Sequence, residues 1–187
     1  YYRESQMRHD IAMIGECMLE LTHQSKTQST RSLPMALSYG GDTLNSAVYL
    51  ARQGVDVDYV TALGDDSMSS WMIDQWRSEN VGCNLIIRSP NSVPGLYLIE
   101  VDEHGERSFH YWRDNAPAKR LFEDRQQANQ LFEKLGNFKF LCLSGITLGI
   151  YSENSRQCFF ELLTEYRKGG GKVIFDSNYR PKLWPDP

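Results

Sequence analysis

Nine residues beginning at Tyr39, with the sequence YGGDTLNSA, combine backbone freedom with short polar side chains. Gly40 and Gly41 can adopt positive φ and let a ligand approach the backbone closely. Asp42, or the threonine after it, can accept hydrogen bonds from the free N–H groups of a helix that begins here, and Asn45 lies one turn further on. This arrangement predicts a binding place for a hydroxyl-rich molecule. The pattern is also typical of a glycine-ended strand before a capped helix, so it is not specific on its own.

A second group of polar side chains follows the apolar run KVIFD near the end of the sequence. Asp176, Asn178 and Arg180 alternate along this segment, and Pro181 stops further strand pairing. An acid, an amide and a guanidinium at one strand end predict polar support for a ligand, and Asn178 and Arg180 are expected to stabilise Asp176 as a carboxylate. Ordinary loop polarity is the alternative.

Two extended runs, PGLYLIEV and RSFHYWR, are joined by the loop DEHGE and predict a β-hairpin. Tyr97 lies on the first strand, and Tyr111 and Arg113 share one face of the second, because strand side chains alternate. If that face covers the ends of a sheet, Arg113 can bind a carboxylate through two parallel hydrogen bonds. The alternative is a solvated arginine on an edge strand.

The remaining pattern alternates apolar strands with amphipathic helices, as a parallel α/β sheet requires. Strands are predicted at 10–16, 57–63, 83–87, 138–143 and 172–176, with weaker ones at 18–22 and 33–39. Helices are predicted at 42–53, 67–79, 123–135 and 153–168. In such sheets a ligand binds beyond the carboxyl ends of the strands, where the sequence places Glu16, Ser144 and the segment from Asp176 to Arg180.

Composition and charge argue against several classes of function. The 187 residues are 41% apolar and 24% charged with a net charge of −4, which gives no electrostatic reason to expect nucleic-acid or acidic-membrane partners. No apolar run approaches membrane-spanning length and no secretory signal is visible, so a cytoplasmic location is expected. The four cysteines and four histidines show no metal-ligand spacing, so we predict reduced thiols and no metal site.

Several motifs together resemble the ribokinase-like carbohydrate kinase family. They are IGECM near the start, GGDTLNSA, the later Gly54 and TALGDD, PGLY and YWR in the hairpin, LSGI, and FDSNYRP. The resemblance extends from Arg8 to Trp184, and the set is far more specific than any one motif. It implies an α/β fold, a ribokinase-like three-layer sandwich with a mostly parallel sheet and a small β-sheet lid.

The motifs are most similar to the sugar-acid branch of that family. They imply phosphorylation of 2-keto-3-deoxygluconate to its 6-phosphate, with ATP and Mg²⁺, so the expected partners are a sugar acid and ATP. The resemblance places Gly41 and Asn45 on sugar hydroxyls, with Gly40 and Asp42 completing the turn. It also places five side chains around the substrate: Tyr97, Tyr111, Arg113, Ile146 and Arg180.

The resemblance covers the N-terminal, sugar-binding part of one such domain, at residues 7–187, with lid segments at about 17–39 and 94–113. Residues 1–6 precede a plausible start at Met7 and are interpreted as a vector remnant or an uninformative terminus. The family's catalytic base and anion hole are expected beyond Pro187, so the C-terminal part of the fold is expected to be absent and no catalytic residue is assigned. Thr43 and Ser69 stand where family members commonly carry glycine, and Thr43 suits the sugar-acid branch.

Two other functions remain open from the sequence. A fructokinase-like kinase of a neutral sugar is the alternative among enzymes, and Arg113 argues against it because a neutral sugar offers no carboxylate. A non-catalytic sugar-binding module is the alternative outside enzymes, because no catalytic base is assigned in these residues. The exposed edge of the lid is expected to pair in a homodimer.

Overall fold

The computed structural model describes residues 9–23 and 31–184. Four of its strands form the main sheet: β1 (His9–Ile14), β4 (Val57–Val60), β9 (Phe138–Ser144) and β10 (Lys172–Asp176). They are all parallel and lie in the order β10-β9-β1-β4. The segments that follow β1, β9 and β10 therefore meet at one edge of the sheet, the carboxyl edge.

Helices cover both faces of the main sheet. They are α1 (Asp42–Arg52), α2 (Ser67–Ser78), α3 (Arg125–Leu135), α4 (Gly145–Ile150) and α5 (Glu153–Lys168). Ile11 and Met13 of β1 pack in one core with α1 and α2, whereas Ala12 and Ile14 pack in a second core with α3 and α5. Because successive strand residues point to opposite faces, three layers result. The predicted α/β sandwich with a mostly parallel sheet is confirmed.

A second sheet, which we call the small sheet, also has four strands and shares no strand pairing with the main one. Its strands are β2 (Met18–His23), β3 (Met35–Gly40), β7 (Leu96–Val101) and β8 (Arg107–Trp112). They lie in the order β3-β2-β7-β8, with β2 parallel to β7 and the other pairs antiparallel. The predicted β7–β8 hairpin is confirmed. Because β3 ends at Gly40 and α1 begins at Asp42, the small sheet leads directly into the Gly-Gly turn.

The region before the hairpin differs from the sequence prediction. The strand predicted at 57–63 is split into β4 and a short β5 (Ala62–Gly64). The strand predicted at 83–87 is wrong, because the strand that pairs with β5 is β6 (Ile87–Ser89) and the upstream pairing is a single bridge between Asp58 and Gly82. Helix α4 was not predicted, since six residues are too few to give a periodic signal.

In the ranges that the structure describes, no helix combines the length and apolar character needed to cross a bilayer.

Candidate active site

A buried ion pair joins the end of β1 to the end of the β7–β8 hairpin. Glu16 follows β1 with a side chain that is 2% exposed, and Arg113 follows β8 with a side chain that is 13% exposed. Arg113 Nη2 donates a hydrogen bond to Glu16 Oε2. Burial raises the pKa of Glu16, and the adjacent guanidinium opposes that rise. The alternative of a solvated arginine at position 113 is therefore wrong.

The Gly-Gly turn depends on close packing and not on positive φ. Gly41 has a φ of −172°, an extended value open to any residue, and Gly40 also lies outside the left-handed region. A Cβ on Gly41 would collide with the Glu16 carbonyl oxygen and lie 3.1 Å from Cys17 Cα, and a Cβ on Gly40 would collide with the Tyr97 hydroxyl. The turn can therefore pack against the end of β1 and beneath the hairpin only because both Cβ atoms are missing.

Tyr97 and Tyr111 lie opposite each other in the hairpin, with ring centroids 5.9 Å apart. The Tyr97 hydroxyl donates to Glu20 Oε2, and Ser38 Oγ donates to Glu20 Oε1 at 3.0 Å. Burial raises the pKa of Tyr97, and the hydrogen bond to Glu20 raises it further. The Arg113 guanidinium carbon lies 5.9 Å from the Tyr111 ring centroid. Tyr111 is therefore the neighbour of both Tyr97 and Arg113, and the three predicted hairpin residues lie next to one another.

Asp42 connects the turn to the segment after β10. Its Oδ1 accepts the Thr43 backbone N–H at 2.8 Å, as predicted for an acceptor in the first turn, and its Oδ2 accepts Asn178 Nδ2 at 2.8 Å. The predicted support of Asp176 by the side chains of Asn178 and Arg180 is wrong. Asn178 has a φ of 23°, and its side-chain amide donates to Asp42. Among the described residues, Asp176 accepts a hydrogen bond only from the Asn178 backbone N–H, at 3.1 Å. The Arg180 guanidinium donates to the carbonyl oxygen of the preceding residue.

The other predicted site residues lie at the same edge of the sheet but are less enclosed. Ile146 is half-buried near the start of α4, and Gly145 before it packs against the Ser177 carbonyl oxygen, where a Cβ would collide. Asn45, in the first turn of α1, and Arg180 are exposed. The structure therefore joins Gly40, Gly41, Asp42, Tyr97, Tyr111, Arg113 and Asn178 in one contact network and leaves Asn45 and Arg180 at the surface.

The carboxyl edge collects groups that suit a hydroxylated anion. Arg113 supplies a positive charge in a largely buried position, where a charge-assisted hydrogen bond is strong. Tyr97 and Asp42 supply oxygen acceptors beside the Gly-Gly turn.

Residues 8–187 match a family model described as pfkB family carbohydrate kinase. The chain belongs to this family. Among its pfkB relatives, the 2-dehydro-3-deoxygluconokinase of Escherichia coli K12 is 50% identical over 95% of this chain and 56% of its own length. The enzyme of that name from Dickeya dadantii is 47% identical over 94% of this chain and 55% of its own length. The fructokinase of Vibrio alginolyticus is 28% identical over 95% of this chain and 53% of its own length.

Solved structures share the pfkB-family fold. A fructokinase from Xylella fastidiosa is 26% identical with a TM-score of 0.79, covering 94% of this chain and 52% of that one. A structure of the Xylella fructokinase with bound ATP is 24% identical with a TM-score of 0.79, covering 95% of this chain and 54% of that one. At this identity the likeness supports the fold and nothing more. The chain thus spans about half the length of the curated relatives it matches.

Two acids that organise this pfkB-family site were missed from the sequence. Glu16 was recognised as a residue at a strand end and as part of the IGECM motif but was given no role, and Glu20 was not singled out. The available signal was a glutamate directly after a buried strand, because a buried charge needs a partner. The identity of that partner could not follow from local pattern, since Arg113 lies 97 positions away.

A separate group of possible metal ligands lies at the opposite edge of the main sheet. One ligand atom each from His9, Asp56 and Asp58 lies within 4.8 Å of the other two. His9 Nδ1 is 2.6 Å from Asp56 Oδ2, so these two groups already satisfy each other. Sequence spacing does not reveal this group, because His9 and Asp56 are 47 positions apart.

Proposed function

We propose that this chain is the N-terminal, sugar-binding part of an enzyme that phosphorylates 2-keto-3-deoxygluconate. The reaction transfers the γ-phosphoryl group of ATP to the terminal hydroxyl oxygen and gives the 6-phosphate, a step in the catabolism of sugar acids. Relatives that are 47% and 50% identical carry the name of this activity, and the fructokinases are more distant. We call the polypeptide of the relatives' length the complete kinase.

The observation that carries the proposal is the largely buried arginine beside the Gly-Gly turn. The substrate has a carboxylate at one end and the reacting hydroxyl at the other, so Arg113 would fix the end that does not react. Such a fixed orientation is a large part of what an enzyme supplies to phosphoryl transfer. The remaining substrate contacts are assigned to Gly40, Gly41, Asp42, Asn45, Tyr97, Tyr111, Ile146 and Arg180.

ATP with Mg²⁺ is the proposed phosphoryl donor. The described residues beside the turn do not form a set of free carboxylates for the ion, because Glu16 is held by Arg113 and one acceptor site on each Asp42 oxygen is already used. We therefore derive no step through Mg²⁺ from these residues. The base that takes the hydroxyl proton and the groups that stabilise the transferred phosphoryl are assigned to the rest of the complete kinase, so residues 7–187 alone are expected to be inactive.

The test compares an acidic substrate with a matched neutral one in the complete kinase. The neutral analogue is 3-deoxyfructose, in which CH₂OH replaces the carboxylate. Arg113→Ala should reduce kcat/KM for 2-keto-3-deoxygluconate roughly 30- to 900-fold, which corresponds to a loss of about 2–4 kcal/mol in transition-state stabilisation. The reduction for 3-deoxyfructose should be much smaller. A higher kcat/KM for fructose than for the sugar acid, or equal losses on both test substrates, would contradict the proposal.

We also propose that the small sheet is a lid over the sugar and pairs with a second copy in a homodimer. Its outer strand β8 exposes Phe109, Tyr111 and Trp112, and the opposite outer strand β3 exposes Leu37. An unpaired edge with exposed apolar groups favours association. Sedimentation velocity of the complete kinase should show a dimer that Phe109→Lys weakens, and a wild-type monomer would contradict this part of the proposal.

A further inference from the structure

Glu16 is a buried carboxylate to which the proposed function gives no role. Its Oε2 accepts the hydrogen bond from Arg113, and its Oε1 has no hydrogen-bond partner among the residues that the structure describes. The buried hydroxyl of Tyr151 also lacks a partner there. Burial raises the pKa of Tyr151, and the charge of Glu16 adds to that rise.

Stability alone does not explain a carboxylate in this position. Removing a carboxylate and a guanidinium from water costs several kcal/mol for each ion, and one ion pair often fails to offset that cost. The unpartnered Oε1 adds a further penalty of about 1–3 kcal/mol for an unsatisfied buried group. A buried arrangement with this penalty suggests a role beyond folding.

The backbone holds Glu16 in a fixed place. Its carbonyl oxygen would collide with a Cβ on Gly41. Its Oε1 would lie 3.2 Å from a Cβ on Gly95, the residue directly before β7. A Cβ on Gly95 would also lie 3.3 Å from the Cβ of Arg113. The carboxylate is therefore enclosed between the Gly-Gly turn and the hairpin, at the point where the main sheet meets the small one.

Arg113 has donors to spare after it has paired with Glu16. A guanidinium carries five N–H donors in a planar fork, and in the described part of the chain its one hydrogen-bond partner is Glu16. The bond at Nη2 removes most of the rotational freedom of a long side chain, whose ordering would otherwise oppose ligand binding. The other N–H groups of Arg113 have no hydrogen-bond partner among the described residues and are available to a ligand.

We propose that Glu16 is a positioning residue for the acid end of the substrate: its buried carboxylate fixes the Arg113 guanidinium so that the free N–H groups of Arg113 bind the carboxylate of a sugar acid. This inference rests on the proposed function and adds a specificity determinant to the same site. Glu16 itself does not touch the substrate. It acts by reducing the number of orientations that Arg113 can adopt before the substrate arrives.

The experiment measures KM and kcat of the complete kinase for 2-keto-3-deoxygluconate and 3-deoxyfructose. Glu16→Gln should raise KM for the sugar acid about tenfold or more, with kcat and the KM for 3-deoxyfructose both within about threefold of wild type. In an Arg113→Ala background, Glu16→Gln should have no further effect on the KM for the sugar acid, because the group that it orients is gone. A purely structural role would instead give equal losses on both substrates.

Two further variants keep the result interpretable. Glu161→Gln removes the carboxylate from the exposed ion pair with Arg125 at the α3–α5 surface, and it should leave both substrates unchanged. Glu16→Asp keeps the charge on a shorter side chain and should raise KM for the sugar acid less than Glu16→Gln does. If Glu16→Gln does not fold, the selectivity of Glu16→Asp for the acid substrate decides the question.

Three outcomes would overturn the inference. They are additive effects in the double variant, equal KM changes on the two substrates, and a lower KM for the sugar acid in Glu16→Gln. The last would mean that Glu16 competes with the substrate for Arg113. A wild-type complete kinase that does not phosphorylate 2-keto-3-deoxygluconate would instead refute the proposed function, so the two failures are distinguishable.

Discussion

Replacing Gly41 with alanine tests whether close packing shapes the turn. The backbone of Gly41 is extended, so alanine brings no conformational strain, and any effect must come from the added methyl group. That methyl group would collide with the Glu16 carbonyl oxygen and approach Cys17 Cα to 3.1 Å. These are main-chain atoms of the segment between β1 and β2, and they cannot swing aside as the tip of a side chain can. The turn and the end of β1 must therefore separate by roughly 1 Å to restore ordinary contacts.

The expected loss for Gly41→Ala is about 1–3 kcal/mol in the free energy of unfolding, the usual range for an overpacked position. A displacement of about 1 Å at the binding turn should also lower kcat/KM for the sugar acid by up to about 100-fold. Urea unfolding followed by circular dichroism, with steady-state kinetics on the complete kinase, measures both. Gly136→Ala is the matched control, because Gly136 has a helical φ of −58° and its Cβ would lie 3.2 Å from the Glu133 carbonyl oxygen and 3.8 Å from that of Phe132, without a collision. Equal stability and activity in the two variants would refute the packing explanation.

Two further predictions concern stability, measured by urea unfolding. Asp66→Ala removes the α2 N-cap, whose side chain accepts the N–H groups of Met68 and Ser69, and should cost about 1 kcal/mol near neutral pH. Burial alone would raise the pKa of Asp66, but its hydrogen bonds with Ser69 and Met68 lower it overall, so the difference from wild type should be present above about pH 4 and disappear as the pH falls through the lowered pKa. Trp76→Ala empties a fully buried position that packs edge-on against Tyr59 and should cost about 3–5 kcal/mol. Tyr49→Ala, at a position 67% exposed, should change stability by less than about 0.5 kcal/mol, and an equal loss in both variants would contradict the assigned packing.

Local pattern was sufficient for the elements that are long and regular. Helix α5 and the β7–β8 hairpin could be predicted because hydrophobic period and turn residues act over neighbouring positions. Short elements such as α4 and the β5–β6 pair could not, because three to six residues carry too little periodicity and their pairing depends on distant strands.

The candidate site shows the same limit in its chemistry. Residue type indicated that Arg113 could bind a carboxylate, and the family resemblance implied that Tyr97 lies at the substrate. Their acidic partners Glu16 and Glu20 are 97 and 77 positions away, so neither pairing could follow from local pattern. The glycines of the turn were predicted to allow positive φ and the close approach of a ligand. Positive φ is wrong, and the atoms that approach these glycines closely belong to the chain itself, so ligand approach stays a prediction. A glycine in sequence does not distinguish a backbone that needs left-handed φ from one that needs room for a neighbour, and only the packing at Gly41 decides between them.

Tyr97 and Arg113 offer opposite hydrogen-bonding character to a sugar. The hydrogen of the Tyr97 hydroxyl is donated to Glu20, so its oxygen is left to accept, whereas the Arg113 guanidinium can only donate. A sugar hydroxyl can donate to Tyr97 but a carboxylate cannot, and a carboxylate accepts best from Arg113. On the proposed function, this polarity directs the acid end of the substrate to Arg113.

Glu16 and Glu20, the acids that hold Arg113 and Tyr97, lie in one short segment outside the hairpin that carries the binding groups. The identity of Tyr97 and Arg113 therefore gives only part of the specificity. A hairpin transplanted into a relative that lacks these two glutamates would carry the same phenol and guanidinium, but their hydrogens would be free to take other partners. On the proposed function, selection of a sugar acid is a property of the contact between the two segments, so neither segment reveals it alone.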